Sequence, residues 1–141
     1  DKKVFDILDG YSMDGGIAFQ LQDDILGVFG TPEKTGKSAD SDLLQGKCTL
    51  LVLKLLENGT AKQKSDLHKV WGKLSASRED LDKVKAAIVD SGSYAYSKEI
   101  AKKYALSAAK TASRLRDIPK LNTEAIDYIQ GIAEYMVNRE V

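Results

Sequence analysis

Apolar residues recur every three or four positions along nearly the whole of this 141-residue chain, and few segments alternate with a period of two. This spacing is typical of amphipathic α-helices. One long segment, 29–46, breaks the pattern with Gly30, Pro32, Gly36 and Gly46. Irregular loops of that length are uncommon inside compact domains and are usually functional or mobile. The sequence therefore predicts an all-α fold with one unusual loop.

The helix boundaries follow from capping residues and from helix-breaking residues. Predicted helices run over about 3–28, 47–57, 61–71, 77–92, 93–119 and from Asn122 onwards. The second of these is apolar nearly all round, which predicts a buried helix. In the 93–119 helix the apolar stripe consists mainly of alanines, which favours close contact with another helix.

Composition restricts the class of protein. Lysine and arginine total 21, as do aspartate and glutamate, so no overall charge attracts nucleic acid. Cys48 is the single cysteine, which excludes an internal disulfide and is typical of a reducing compartment. The longest apolar stretch, Leu50–Leu56, contains Lys54 and is too short to span a bilayer. These features predict a cytoplasmic protein without stable membrane insertion.

Two adjacent carboxylates, Asp23 and Asp24, lie within the otherwise apolar run Phe19–Gly27. On a helix they share one polar strip with Gln20 and Gly27. Burying acids without a partner is costly, and oxygen ligands favour Mg²⁺, which commonly shares substrate phosphates. The pattern indicates a magnesium site at Asp23 and Asp24. Spacing alone leaves a solvated helix face open as the alternative.

Two lysines follow glycines in and just after the unusual loop: Lys37 follows Gly36, and Lys47 follows Gly46. Lysine is a common partner of phosphate, and glycine lets backbone N–H groups approach the same anion. Lys47 stands at the start of the predicted second helix, where the helix dipole favours an anion. The Gly36-Lys37 pair does not belong to a P-loop, because Thr31 stands where that motif requires glycine. Both lysines are candidate diphosphate contacts.

The combined motifs resemble the second aspartate-rich region of the trans-polyprenyl diphosphate synthases, which include farnesyl and geranylgeranyl diphosphate synthases. They read Phe19-Gln20-x-x-Asp23-Asp24-Ile25-Leu26, Thr35-Gly36-Lys37, Asp42-Leu43 and Gly46-Lys47-x-Thr49. The resemblance implies the isoprenoid synthase helical bundle around a deep cleft. It also implies Mg²⁺-dependent condensation of an allylic diphosphate with isopentenyl diphosphate. In that family the first aspartate ligates magnesium on the allylic diphosphate, a role that falls to Asp23, with Asp24 beside it.

The same resemblance implies roles for the neighbouring motif residues. Gln20 is expected near the allylic chain and its developing cation, with Phe19 beside it in the substrate site. Lys37 and Lys47 are expected to contact the allylic diphosphate. With Asp23, three of these residues (Gln20, Lys37 and Lys47) form the predicted catalytic set.

Two features depart from the family pattern. Position 27 is glycine, where the motif commonly has a third aspartate. Family members are also about twice as long, and their N-terminal half carries the first aspartate-rich motif and the basic residues that bind isopentenyl diphosphate. Residues 1–141, which begin without an initiator Met, are therefore interpreted as the C-terminal half of such a synthase. We expect this half to be inactive alone and the whole enzyme to be a homodimer.

Other interpretations remain open on sequence grounds. A non-catalytic helical interaction module could retain the fold, with Gly27 marking the loss of a ligand. A terpene cyclase is disfavoured by the paired lysines and the Phe-Gln motif. Asp40 is interpreted as a solubilising loop residue, whereas Asp42 could serve either solubility or metal-dependent ordering. Trp71 is expected to be a core or interface anchor.

Overall fold

The computed structural model describes residues 1–30 and 40–138, apart from the side chain of Val137. Within these ranges the chain forms helices and no strand, as the apolar spacing predicted. The elements are α1 (Lys2–Phe29), α2 (Ser41–Leu44), α3 (Leu50–Asn58), α4 (Ala61–Val70), α5 (Arg78–Asp90), α6 (Ser93–Ser113), a 3₁₀ turn (Arg114–Asp117) and α7 (Thr123–Asn138). None of the helices in the described part of the chain is both long and apolar enough to cross a bilayer.

The described residues form two compact units. The first consists of residues 1–22 and 99–138, and the second of residues 23–30 and 40–98. Helix α1 contributes its N-terminal part to the first unit and its last turns to the second.

The second unit has the larger apolar core, which the last turns of α1 share with α2 to α5. Its fully buried members are Ile25, Val28, Leu43, Leu51, Val52, Leu55, Leu67, Val70, Val84 and Ile88. Phe29 packs edge-on against Tyr94, with ring centroids 4.8 Å apart. Helix α3 is less buried than its composition predicted, since Leu53 is 48% exposed.

The first unit depends on small residues where α1 meets α6. A Cβ placed on Gly10 would lie 3.5 Å from Thr111, and one on Gly15 would lie 3.9 Å from Ala108. The alanines of the α6 stripe are buried as predicted: Ala101, Ala105, Ala108 and Ala112. Small side chains let the two helix backbones approach closely, which is the role the sequence indicated for the stripe.

Side-chain caps fix most helix starts in the second unit. Thr60 and Gln63 form a reciprocal capping box at α4, and Ser77 caps α5 by accepting from the Asp80 N–H. At α3 the cap is Thr49, whose side chain accepts from the Val52 N–H. The prediction that this helix begins at Lys47 was therefore wrong, because a capped start at Thr49 leaves Lys47 in the preceding loop.

The region predicted as one irregular loop contains a short helix. Ser41–Leu44 forms α2, preceded by Asp40 in the left-handed conformation at φ 70°. Such a short element has no full amphipathic period, so the glycine-rich composition concealed it. Leu43 of α2 is buried in the core of the second unit and fixes this part of the loop.

Candidate functional site

The acidic pair lies where α1 enters the core of the second unit. Asp23 and Asp24 are half-buried, while the next residues, Ile25 and Leu26, are buried. The apolar side chains hold this turn of α1 in place, and the two carboxylates occupy its remaining polar face. This arrangement differs from a fully solvated helix face.

A third carboxylate reaches the same strip of α1 from α2. Asp42 is 2% exposed, and a Cβ built on Gly27 would lie 2.7 Å from its Cγ. Real Cβ atoms do not approach other atoms that closely, so the Asp42 carboxylate occupies the space into which a side chain at position 27 would extend. Gly27 thus leaves room for the Asp42 carboxylate beside α1.

The two oxygens of Asp42 have different surroundings. Oδ1 accepts a 2.5 Å hydrogen bond from the Lys47 ammonium, whereas Oδ2 is buried and accepts none from any described residue. A buried carboxylate oxygen without a donor is costly and is rare in native structures. This oxygen is therefore suited to a ligand or a bound water.

Lys47 lies between the buried Asp42 carboxylate and solvent. Its side chain is 43% exposed and ends against Asp42. The pKa of Lys47 is raised mainly by the hydrogen bond to Asp42, and attraction to Asp24 and Asp23 adds to the effect, while partial desolvation opposes it. The structure thus brings the predicted Lys47 within electrostatic range of both predicted metal ligands, and the lysine stays charged at all ordinary pH values.

The other predicted site residues are placed as follows. Phe19 and Gln20 lie in the part of α1 that belongs to the first unit, and both are exposed. Lys37 lies outside the described residues. The structure therefore groups Asp23, Asp24 and Lys47, and it adds Asp42, for which the sequence leaves both solubility and metal-dependent ordering open. The Asp42-Leu43 pair within the motif could have indicated that Asp42 is buried, because a leucine in the core fixes the position of its neighbour.

Asp40 has a structural role instead of the solubilising one expected. It is 1% exposed, and its carboxylate pairs with Arg78 at 3.0 Å and with Lys85 at 2.5 Å. These contacts tie the start of α2 to α5. The solubilising interpretation of Asp40 was wrong. Local sequence patterns do not reveal its partners, because Arg78 and Lys85 lie about 40 residues further along the chain.

The donor set of this site fits a hard divalent cation. Asp23 and Asp24 offer only carboxylate oxygens, which is the ligand chemistry of Mg²⁺. Within residues 1–30 and 40–138, no three His, Cys, Asp or Glu side chains are grouped closely enough to bind a metal ion by themselves. Magnesium commonly completes such incomplete sets with waters and substrate phosphates.

The chain is similar in sequence to known prenyl diphosphate synthases. The polyprenyl synthetase family matches residues 1–88. Geranylgeranyl diphosphate synthase of Saccharolobus solfataricus is 36% identical over 129 residues, which cover 92% of this chain and 38% of the relative. Geranylfarnesyl diphosphate synthase of Aeropyrum pernix is 38% identical over 127 residues, 90% of this chain and 38% of the relative.

Solved structures show the same fold. Geranylgeranyl pyrophosphate synthase of Corynebacterium glutamicum, complexed with isoprenyl diphosphate and magnesium, matches with a TM-score of 0.88 and 29% identity. The match covers 99% of this chain and 39% of that one. This chain thus spans roughly two-fifths of the length of the synthases it matches. The fold and the family expected from the motifs are confirmed: the chain belongs to the polyprenyl synthetase family.

Proposed function

We propose that the protein containing this chain is a prenyltransferase that condenses an allylic diphosphate with isopentenyl diphosphate. The single observation that carries the proposal is the grouping of Asp23 and Asp24 with the Asp42–Lys47 pair. The aspartates offer oxygen ligands for a divalent cation, and the Lys47 ammonium beside them offers a positive charge for a diphosphate. The named activities of the relatives support the same reaction.

The residues present fit a magnesium ion, since Asp23 and Asp24 are half-buried carboxylates on one turn of α1. Asp23 and Asp24 would hold it. When bound, magnesium would neutralise charge on the departing diphosphate. Asp42 lies beside this position and presents its free oxygen toward Gly27.

Each side chain then has a task in the reaction. Lys47, together with Lys37, binds the allylic diphosphate and favours the negative charge that grows as the bond between C1 and the diphosphate oxygen breaks. By the family motif, Gln20 and Phe19 are expected to contact the allylic chain and its cation, a role that stays a prediction. The double bond of isopentenyl diphosphate then forms a bond to C1, and a proton leaves to the released diphosphate.

We further propose that residues 1–141 supply only one part of this active site. The first aspartate-rich motif and the isopentenyl diphosphate site would come from the N-terminal half of the full-length chain. Two such chains would form a cytoplasmic homodimer. The coverage of roughly two-fifths of each relative supports this division. The 141-residue chain alone is then expected to be inactive.

The test is turnover of the full-length protein with radiolabelled isopentenyl diphosphate and an allylic diphosphate. Asp23→Asn removes a charged ligand and should lower kcat/KM on the order of 10²- to 10³-fold. Asp9→Asn, an exposed change on the same helix, is the matched control and should leave turnover within about twofold. Unchanged turnover and unchanged magnesium-dependent substrate binding in Asp23→Asn would overturn the proposal and favour a non-catalytic module.

A further inference from the structure

The loop that carries Lys47 is held by a segment far along the chain. The carbonyl of Leu43 accepts two backbone hydrogen bonds, from Gly46 at 3.0 Å and from Gly72 at 2.9 Å. Gly72 immediately follows Trp71, the C-cap residue of α4. The turn after α4 is therefore bonded directly to α2, at the same carbonyl that accepts from Gly46 just before Lys47.

The side chain of Trp71 bonds to Lys47 itself. Its indole N–H donates to the Lys47 carbonyl at 3.0 Å, across 24 residues of sequence. The rest of the ring packs on the apolar core of the second unit. The indole thus connects the main chain of Lys47 to a rigid part of the protein.

Close backbone contact reinforces this bond. Gly46 and Gly72 both have φ of +73°, and a Cβ on Gly46 would lie 3.1 Å from the Gly72 Cα. Both positions therefore favour glycine, on conformational and steric grounds. Since Gly46 directly precedes Lys47, this contact restricts where the lysine main chain can lie.

We infer that Trp71 is a positioning residue for Lys47, an inference that rests on the proposed role of Lys47 in diphosphate binding. The indole fixes the Lys47 main chain, and Asp42 fixes its ammonium, so the flexible side chain is held at both ends. Holding a binding group in its working geometry lowers the entropy lost when the diphosphate arrives. Trp71 acts through Lys47 and does not contact substrate.

The first test uses Trp71→Phe in the full-length enzyme. This change removes the N–H and keeps an aromatic ring in the core. We expect KM for the allylic diphosphate to rise about three- to tenfold, the effect of one lost hydrogen bond, with a smaller change in kcat. The matched control is Tyr11→Phe, which removes another aromatic donor to a main-chain carbonyl, that of Ile129 at 2.9 Å in the first unit. A KM effect no larger than that of Tyr11→Phe would overturn the inference.

The second test does not require a folded Trp71 variant. Trp71 is the single tryptophan of this chain. In a full-length variant whose tryptophans outside residues 1–141 are replaced by phenylalanine, titration with inorganic pyrophosphate and Mg²⁺ should change the Trp71 emission with the midpoint found by calorimetry. Lys47→Ala in the same background should abolish that change. Pyrophosphate binding with unaltered emission would overturn the inference. If Lys47→Ala left turnover, KM and pyrophosphate binding unchanged, the proposed role of Lys47 in diphosphate binding would fail as well. This variant therefore distinguishes a failure of the Trp71 inference alone from a failure of the proposed role of Lys47.

Discussion

Two buried aspartates in the second unit, Asp42 and Asp66, each pair with lysine but differ in how completely they are satisfied. Asp66 is 7% exposed, and its two oxygens accept from Lys62 at 2.7 Å and from Lys69 at 2.8 Å. Asp42 is 2% exposed, yet only its Oδ1 accepts a hydrogen bond from a residue that the structure describes. The Asp66 cluster is electrostatically complete, whereas the Asp42 cluster leaves one acceptor open.

We interpret the Asp66 cluster as an ion pair that stabilises the fold, and the Asp42 cluster as part of the proposed site. An unsatisfied buried acceptor costs about 1–3 kcal/mol. Buried polar groups without partners are uncommon in native structures. The open oxygen of Asp42 faces Gly27, one turn after Asp23 and Asp24, whereas Asp66 pairs with lysines on its own helix, α4.

The largest expected effect comes from removing the charge of each aspartate in turn. Asp42→Asn should lower kcat/KM of the full-length enzyme about 10- to 100-fold, because Lys47 loses its ionic partner and the site loses a carboxylate. Asp66→Asn should leave kcat/KM within about twofold, since its lysines belong to a structural cluster. Steady-state kinetics under identical magnesium concentrations compare the two variants. Equal losses would show that Asp42 is as structural as Asp66.

A second prediction concerns the space that the Asp42 carboxylate occupies. Gly27→Ala should destabilise the protein by about 1–3 kcal/mol, because the new methyl group meets a buried carboxylate that Lys47 holds in place. Gly16→Ala is the matched control on the same helix. A Cβ there meets no atom within 4 Å, so this change should stabilise α1 by about 0.5–1 kcal/mol. Urea midpoints measure both, and a neutral Gly27→Ala would show that Asp42 can move aside freely.

The same comparison shows how far the sequence could predict the site. Local motifs predicted Asp23, Asp24 and Lys47 as site residues, because helical spacing and glycine-lysine pairs are visible within a few residues. That assignment stays a prediction. Helix caps such as Thr60 and Ser77 were predictable for the same reason. These features depend on neighbours in sequence.

Contacts between distant segments were not predictable. Nothing in the composition of 29–46 indicated that Asp40 would meet Arg78 and Lys85, or that Asp42 would occupy the space beside Gly27. The bond from Trp71 to Lys47 likewise joins residues that no periodic pattern relates. Such pairs depend on tertiary packing, which a single sequence does not specify by spacing.

The smallest expected effect concerns acid stability and the satisfied member of the comparison. The hydrogen bonds from Lys62 and Lys69 lower the pKa of Asp66 from 3.8 to about 2. A carboxyl group whose pKa is lower in the folded state contributes stability above its unfolded pKa, and this contribution is lost as the pH falls through the folded pKa. The stability difference between wild type and Asp66→Asn should therefore be largest above about pH 4 and should shrink as the pH approaches 2. Urea midpoints measured across that range test this, with Asp90→Asn, an exposed change at the end of α5, as the control. A difference that stays constant down to pH 2 would mean that the two lysines do not favour the ionised form of Asp66. The contrast between Asp66 and Asp42 would then rest only on how deeply each carboxylate is buried.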